Sequence, residues 1–486
     1  MNSKSRSGLV VFSGGSAANS LVDVFDTVIR DSDRNLSYVI PISDNGGSSS
    51  ELIRVFGGPG IGDVRRLEIK GDLMGGIHLG RLVRLIPTQP SDPENTAIRT
   101  FFNHRLPPCA DTARLEWLDI VEARSPLWRS ISASKKELIR SFLNYVNLEI
   151  VKRQRPPTST FNFQSAAIGN MFLTGARLFC GSFEAAIYLL DSITGVPEGV
   201  HVVPAINSNF SHHISAELEN GEVIIGQNSI SHPSAPTALP SGEEEYKRAV
   251  EEQDRIEDAN LPGSLPTLRK QYIAFSKDAE EDLPSRIQRI WYINPFGQEI
   301  HPPANPGVIQ ALDGAECLVY SIGSLYTSIV PSLILRGVGE AIASPAIRYK
   351  ILILNGALDR ETGPPHSPFT GLDFIEAIAC ACRESRGQRG AGPSQELKAY
   401  VTHLVHLEGE GVPKVDAEAL KGLGIECVRL YGRKTEGGAG RGMRYDGKAL
   451  SQALEVILGR GAVAKGEVSR RNTFNAKTKP VASERA

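Results

Sequence analysis

Continuous apolar runs alternate with segments of helical periodicity along this chain, and the alternation is the first guide to its fold. Leu9-Val10-Val11-Phe12, Tyr38-Val39-Ile40-Pro41-Ile42 and Cys317-Leu318-Val319-Tyr320-Ser321-Ile322 have no polar alternation, the pattern of strands covered on both faces. Between the first two, Leu21, Val22, Val24, Phe25, Val28 and Ile29 mark one broad helical face. The order strand, loop, helix, strand is a βαβ unit, which implies parallel neighbours and a right-handed crossover. Shorter strands are predicted at Val200–Ile206, Arg289–Asn294, Lys350–Leu354, Tyr400–His406 and Glu426–Arg429. Helix and loop dominate 63–150, including Leu138 to Val146, and helices with Gly breaks fill Ala166 to Leu190. A further helix is predicted over Phe374 to Arg383. Ile214–Leu218 and Glu222–Gly226 flank Asn220-Gly221, whose preference for positive φ predicts a β-hairpin. The pattern predicts an α/β fold: a Rossmann-like, open, mainly parallel sheet with helices on both faces, plus a β-hairpin and a long surface insertion.

The insertion is the segment 231–285, where Pro, Ser, Glu and Lys replace the apolar periodicity. It is expected to be exposed, and partly helical or disordered. The remainder of 8–465 reads as one α/β domain, with residues 1–7 and the basic tail 466–486 expected to be disordered. The net charge of −2 gives no reason to expect nucleic acid or an anionic membrane as partner. There is no apolar signal core and no run of about 18 apolar residues, so a cytoplasmic protein is expected. The six cysteines include no C-x-x-C pair, and buried, reduced thiols are expected. The ten histidines form no ligand cluster, and His212-His213 is expected as a partly exposed pair flanking the hairpin.

The candidate chemistry lies where the apolar runs end. Ser13-Gly14-Gly15-Ser16-Ala17-Ala18-Asn19, Ser43-Asp44-Asn45-Gly46-Gly47-Ser48-Ser49-Ser50 and Gly323-Ser324-Leu325-Tyr326-Thr327-Ser328 each follow a strand and open into a helix. Such turns aim main-chain N–H groups and a helix N-terminus at one point, which suits a phosphate. In open α/β sheets they share the carboxyl edge, where ligands bind. The first loop lacks the full G-x-G-x-x-G pattern and has no Gly-Lys-Ser/Thr, so a nicotinamide reading is weak and a P-loop is excluded. In the second loop, Ser48 and Glu51 fit a capping box. Asp44 then fits either a metal or hydroxyl ligand or an Asx-turn. Gly60-Ile61-Gly62-Asp63-Val64-Arg65 adds flexible backbone and a cation, with Asp63 also fitting a helix N-cap.

Together these segments resemble the 2-phospho-L-lactate transferases (CofD) and their relatives, the gluconeogenesis factors (YvcK). The matching pieces are Gly14-Gly15-Ser16, Ser43-Asp44-Asn45-Gly46-Gly47-Ser48-Ser49, Gly60–Arg65, Ile168-Gly169-Asn170-Met171-Phe172-Leu173 and Gly323–Pro331. The resemblance implies a site for a nucleoside diphosphate derivative of guanosine or uridine type. It implies transfer of a phosphorylated group to a hydroxyl acceptor, with nucleoside monophosphate leaving and Mg²⁺ assisting. Carried onto this chain, Asp44, Asp63 and Arg65 would be catalytic, with Asp44 also serving the metal. Gly14, Gly15, Ser16, Asn19, Gly46, Gly47, Ser48, Asn170, Gly323, Ser324, Tyr326 and Thr327 would hold the nucleotide and its phosphates. No organic cofactor is expected, and homo-oligomerisation is left open.

The chain departs from the family pattern at three places. Asn45 stands where a second Asp is usual, which weakens Mg²⁺ binding. Arg66 replaces an Asn, and Ser321-Ile322-Gly323-Ser324 replaces Gly-Pro-Gly-Ser. Asn45 gives weight to the alternative that the gluconeogenesis-factor relatives suggest, a non-catalytic nucleotide-sugar-binding regulator.

Overall fold

The computed structural model describes residues 8–14, 17–30, 34–43, 46, 48–61, 92–156, 159–232, 247–248, 251–252, 258–259, 262–268, 282–390, 392–434 and 442–459. Seven parallel strands form the central sheet: β1 (Gly8–Phe12), β2 (Leu36–Ile40), β3 (Val200–Pro204), β8 (Ala315–Tyr320), β9 (Tyr349–Ile353), β10 (His403–Leu407) and β11 (Glu426–Leu430). Their order is β11-β10-β9-β8-β1-β2-β3, and every pairing within it is parallel. The three apolar runs that precede the candidate loops are therefore neighbours in the sheet. Val10, Val11, Phe12, Val39, Ile40, Leu318 and Val319 are all buried, which is why those runs show no alternation.

The predicted hairpin is present as β4 (His213–Leu218) and β5 (Val223–Ile225), with Gly221 at φ +85° in the turn. With β6 (Ile287–Ile293) and β7 (Glu299–Ile300) they make a four-stranded antiparallel sheet, ordered β5-β4-β6-β7. A small ribbon pairs β12 (Gly432–Lys434) with β13 (Met443–Tyr445).

Helices α1 (Val22–Arg30) and α2 (Ser48–Phe56) follow the first two sheet strands. A helical group comprises α3 (Pro93–Asn103), α4 (Ala110–Val121), α5 (Ala133–Arg153), α6 (Ile168–Cys180) and α7 (Phe183–Thr194). Their ends follow local chemistry. Asp92 caps α3 ahead of Pro93, Gly181 ends α6 at φ +70°, and Ser182 caps α7 by accepting from the Ala185 N–H. Helices α8 (Gln227–Ser231), α9 (Pro306–Asp313), α10 (Val330–Leu333) and α11 (Val338–Ala343) are short. α12 (Gly371–Ser385) opens with a capping box between Thr370 and Asp373, and α13 (Ala417–Gly422) and α14 (Gly447–Ile457) follow later in the chain.

Some expectations need correction. Cys109 and Cys180 are exposed, because one sits at the N-cap of α4 and the other is the last residue of α6. The described pieces of the insertion are partly anchored. The Ala259 N–H donates to the Arg54 carbonyl and the Leu265 N–H to the Pro295 carbonyl, with Ser264 and Leu265 buried. Residues 1–7 and the tail 466–486 lie outside the described residues. None of the described helices is long and apolar enough to cross a membrane.

Candidate functional site

Because β2, β1, β8 and β9 are adjacent and parallel, their carboxyl ends lie along one rim of the sheet. The ladder runs one residue past the strands there. The Ser321 N–H donates to the Phe12 carbonyl at 3.0 Å, and the Ser13 N–H to the Val39 carbonyl at 3.1 Å. Gly14 and the third loop then touch. A Cβ on Gly14 would stand 2.9 Å from Ser328 Cα and 3.0 Å from its carbonyl oxygen. Gly323 takes φ +145°, and a Cβ on it would stand 3.2 Å from the Gly14 carbonyl oxygen. The first and third small-residue loops are thus pressed together, as their shared rim predicts. The second loop starts from the neighbouring strand β2, and its Ser43 hydroxyl is buried and donates to Gln227 Oε1 of α8 at 2.7 Å.

Small polar groups are sunk into this rim. Ser13, Ser43, Ser321 and Ser328 are all buried, and the Ser321 Oγ has no partner among the described residues. Asn19 is buried within the 3₁₀ turn Ala17–Leu21, and Asn170 is buried in the first turn of α6. Gly46 accepts from the Ser49 N–H at the start of α2.

The donors of the third loop meet a buried carboxyl group from the segment after β9. Both Tyr326 and Thr327 donate their N–H groups to Glu361 Oε2, at 2.8 and 3.0 Å, and the Thr327 hydroxyl donates to Glu361 Oε1 at 2.5 Å. Asp359 sits beside it, accepting from the Thr362 hydroxyl at 3.1 Å, from the Glu361 N–H at 3.1 Å and from the Ser324 side chain. Burial raises the affinity of both carboxyls for protons, and the neighbouring Asp359 helps push Glu361 up to about 8. Gly323 is held from β9: its N–H donates to Asn355 Oδ1 and its carbonyl accepts from Asn355 Nδ2, both at 2.9 Å. The chain turns as a π-helical segment over Leu325–Ile329 before α10, placing Pro331 near the start of α10. The Tyr326 ring points away from the rim, with its hydroxyl donating to the Ile287 carbonyl at 3.1 Å. The loop donors proposed for phosphate at Tyr326 and Thr327 are therefore engaged internally, as are the Gly323 N–H with Asn355 and the Ser324 side chain with Asp359.

Asp44, Asn45, Gly15, Ser16, Gly47, Gly62, Asp63 and Arg65 lie outside the described residues, as does the side chain of Ser48. The approach to Asp63 and Arg65 is described as far as Ile61. Three bonds fix the preceding turn: Arg177 Nη2 donates to the Gly57 carbonyl and the Ser211 hydroxyl to that of Gly58, each at 2.8 Å, and the Gly60 N–H donates to the Ile42 carbonyl at 2.8 Å. The Ser48 side chain of the expected capping box lies outside the described residues. The buried Glu51 carboxylate accepts from Arg54, one turn on, at 2.6 and 2.9 Å and from the distant Asn162 N–H at 2.7 Å. Among the described residues no group of three or more His, Cys, Asp or Glu side chains gathers as a metal site.

The sequence reading missed Glu361, Asp359, Asn355 and Arg177. A signal existed for the first three: Asn355 and Asp359-Arg360-Glu361-Thr362 directly follow β9, at the same carboxyl edge. His213 needs the opposite correction. It is fully buried, its Nδ1 has no partner among the described residues, and burial pulls its pKa down to about 4. The His213 imidazole stays neutral in the fold at a pH that charges it in the unfolded chain. The stability it supports is complete above its ordinary value of 6.5 and is lost as pH falls through about 4. His213→Gln is expected to flatten that acid limb, measured as urea stability between pH 7 and 4.5. An unchanged slope would exclude His213 as its source.

The parallel sheet with converging loops at its carboxyl rim defines an α/β protein of the kind that holds ligands at that edge. The chain belongs to the CofD family: the family model described as 2-phospho-L-lactate transferase CofD matches residues 9–429. Among its relatives, the uncharacterized protein YNL011C of Saccharomyces cerevisiae is 37% identical over 447 residues, covering 87% of this chain and 95% of that one. The gluconeogenesis factor of Bacillus subtilis is 23% identical over 273 residues, covering 54% of this chain and 63% of its own. A crystal structure of a UPF0052 family protein from Bacillus halodurans superposes with a TM-score of 0.53 at 17% identity. The match covers 92% of this chain and 99% of that one, a likeness of fold.

Proposed function

We propose that the chain binds a nucleoside diphosphate conjugate at the rim and moves a phosphorylated group from it to a hydroxyl acceptor, releasing nucleoside monophosphate. The observation that carries this reading is the packing of Gly14 against Ser328 and Gly323. It gathers the first and third loops, and the second loop leaves the adjacent parallel strand β2 at the same edge. The buried Ser321 hydroxyl, without a partner among the described residues, suits a ligand oxygen. In phosphoryl transfer of this class, catalysis is chiefly positioning and charge neutralisation, which small-residue loops braced by Asn355 and Glu361 can supply. Asp44, Asp63 and Arg65 are the proposed reacting-end residues. Mg²⁺, held with Asp44, would neutralise diphosphate charge when bound.

A second reading is favoured by Asn45 and by the internal engagement of Tyr326 and Thr327: a regulator that binds a nucleotide sugar without turnover. Thermal-shift titrations with GDP and UDP-sugars, with and without Mg²⁺, read binding directly, since a ligand of the folded state raises its apparent stability. Mg²⁺-dependent release of nucleoside monophosphate supports the transferase; binding with no release supports the regulator. Asp44→Ala is expected to abolish metal-dependent turnover with the melting temperature within a few degrees of wild type. Retained turnover would remove Asp44 from the site, and no shift with any nucleotide would overturn both readings.

A further inference from the structure

A cavity of about 470 Å³ lies behind the third loop, between β6 and α12, on the side to which the Tyr326 ring points. This volume is in the range of small-molecule sites. Its apolar lining includes Tyr326, Phe369, Tyr400, Leu397 and Ile287, all buried. Charged residues ring it unevenly, with six carboxylates against four arginines.

The arginines are already engaged. Arg286 donates to Asp373 at 2.7 Å and lies over the Phe369 ring at 4.8 Å. Arg289 pairs with Glu299 and Glu384, Arg383 with Glu396 at 2.6 Å, and Arg389 with Glu299 at 3.3 Å. Glu217, Glu219 and Glu376 have no such partner among the described residues. Glu217 sits in register opposite Arg289, which places it on the face of β4 toward the cavity. Glu376 lies on the same face of α12 as Asp373 and Cys380, three and four residues away. Glu376 is exposed on that face; its partial desolvation and the nearby Asp373 disfavour the ionised form while Arg286 favours it, so a cation at this position would offset the Asp373 repulsion.

We propose that this cavity is a second binding site, separate from the rim, which takes an amphipathic organic cation: an aromatic or aliphatic body with one ammonium group. The body would lie against the Phe369 and Tyr326 rings, with the ammonium between Glu217 and Glu376. An anion of the same shape is disfavoured, because the arginines are neutralised and the surplus carboxylates repel it. This inference does not depend on the proposed function of the rim.

Calorimetric titration of the full chain with tryptamine, tryptophol and indole-3-propionate tests it, the three probes differing only in the end group of one indole body. Tryptamine is expected to bind at least tenfold more tightly than tryptophol, with indole-3-propionate weakest. Glu217→Gln combined with Glu376→Gln is expected to weaken tryptamine tenfold or more while leaving tryptophol unchanged. If that pair does not fold, Glu376→Gln alone is expected to weaken tryptamine at least threefold. No measurable tryptamine binding at millimolar concentration, equal affinity for the three probes, or unaltered tryptamine binding by the variants would overturn the proposal.

Discussion

Glu361→Ala is expected to lower stability by about 3 kcal/mol or more, while Glu361→Gln keeps the fold and loses an alkaline dependence that the wild type has. The carboxyl group receives two main-chain N–H groups and one hydroxyl in a buried place. Alanine leaves all three donors without an acceptor, and each costs about 1–3 kcal/mol when buried. Glutamine is the isostere of the protonated acid. Its oxygen can take both N–H groups, and its amide can donate to the Thr327 oxygen once that hydroxyl turns. The pH sign follows from the direction of the shift. Glu361 is raised from its ordinary 4.5 to about 8 by burial and by Asp359, so the folded state keeps a proton that the unfolded state has released. Stability from this source is complete below about 4.5 and is lost as pH rises through about 8. Urea denaturation from pH 5 to 9 should therefore show wild type losing stability relative to Glu361→Gln. Parallel curves would refute an internal proton at the third loop. Alanine tolerated without loss would refute the bonding role.

The sheet was legible because burial on both faces writes itself as unbroken apolar runs. Leu9–Phe12 and Leu318–Tyr320 needed no partner information to be read as central strands. The hairpin was legible because Asn220-Gly221 encodes its own turn. The convergence of the loops followed from topology, since parallel neighbours must end at one edge. What was not legible was the choice of partner. Glu51 has the spacing of a cap, and its carboxylate also takes Arg54 and the Asn162 N–H, 111 residues away in sequence. Glu361 fills donors that local pattern offers equally to a ligand phosphate, and nothing near Tyr326 in sequence announces a carboxylate 35 positions later. The burial of His213 was hidden for the same reason, because β4 is covered by elements distant in the chain.

The contact between the first and third loops gives the second large expected effect. Gly14→Ala is expected to lower nucleotide affinity at least tenfold and stability by about 1–3 kcal/mol, the range for overpacking a tight contact. The cause is lack of room. The added methyl would sit 2.9 Å from Ser328 Cα and 3.0 Å from both its Cβ and its carbonyl oxygen. Main chain cannot swing away as a long side chain can, so the two loops must part. Parting them moves Gly323 as well, on which an added Cβ would stand 3.2 Å from the Gly14 carbonyl oxygen and whose peptide is gripped by Asn355. Ser328→Gly should not rescue the variant, since it removes only one of the three close atoms. Gly422→Ala is the matched control: its Cβ meets nothing within 4 Å, and it sits at the end of α13, away from the rim. Thermal shifts with GDP or the UDP-sugar that binds wild type, read beside urea denaturation, separate the two effects. Wild-type nucleotide affinity in Gly14→Ala would mean that the joined loops are a feature of packing alone, and that the ligand is held elsewhere.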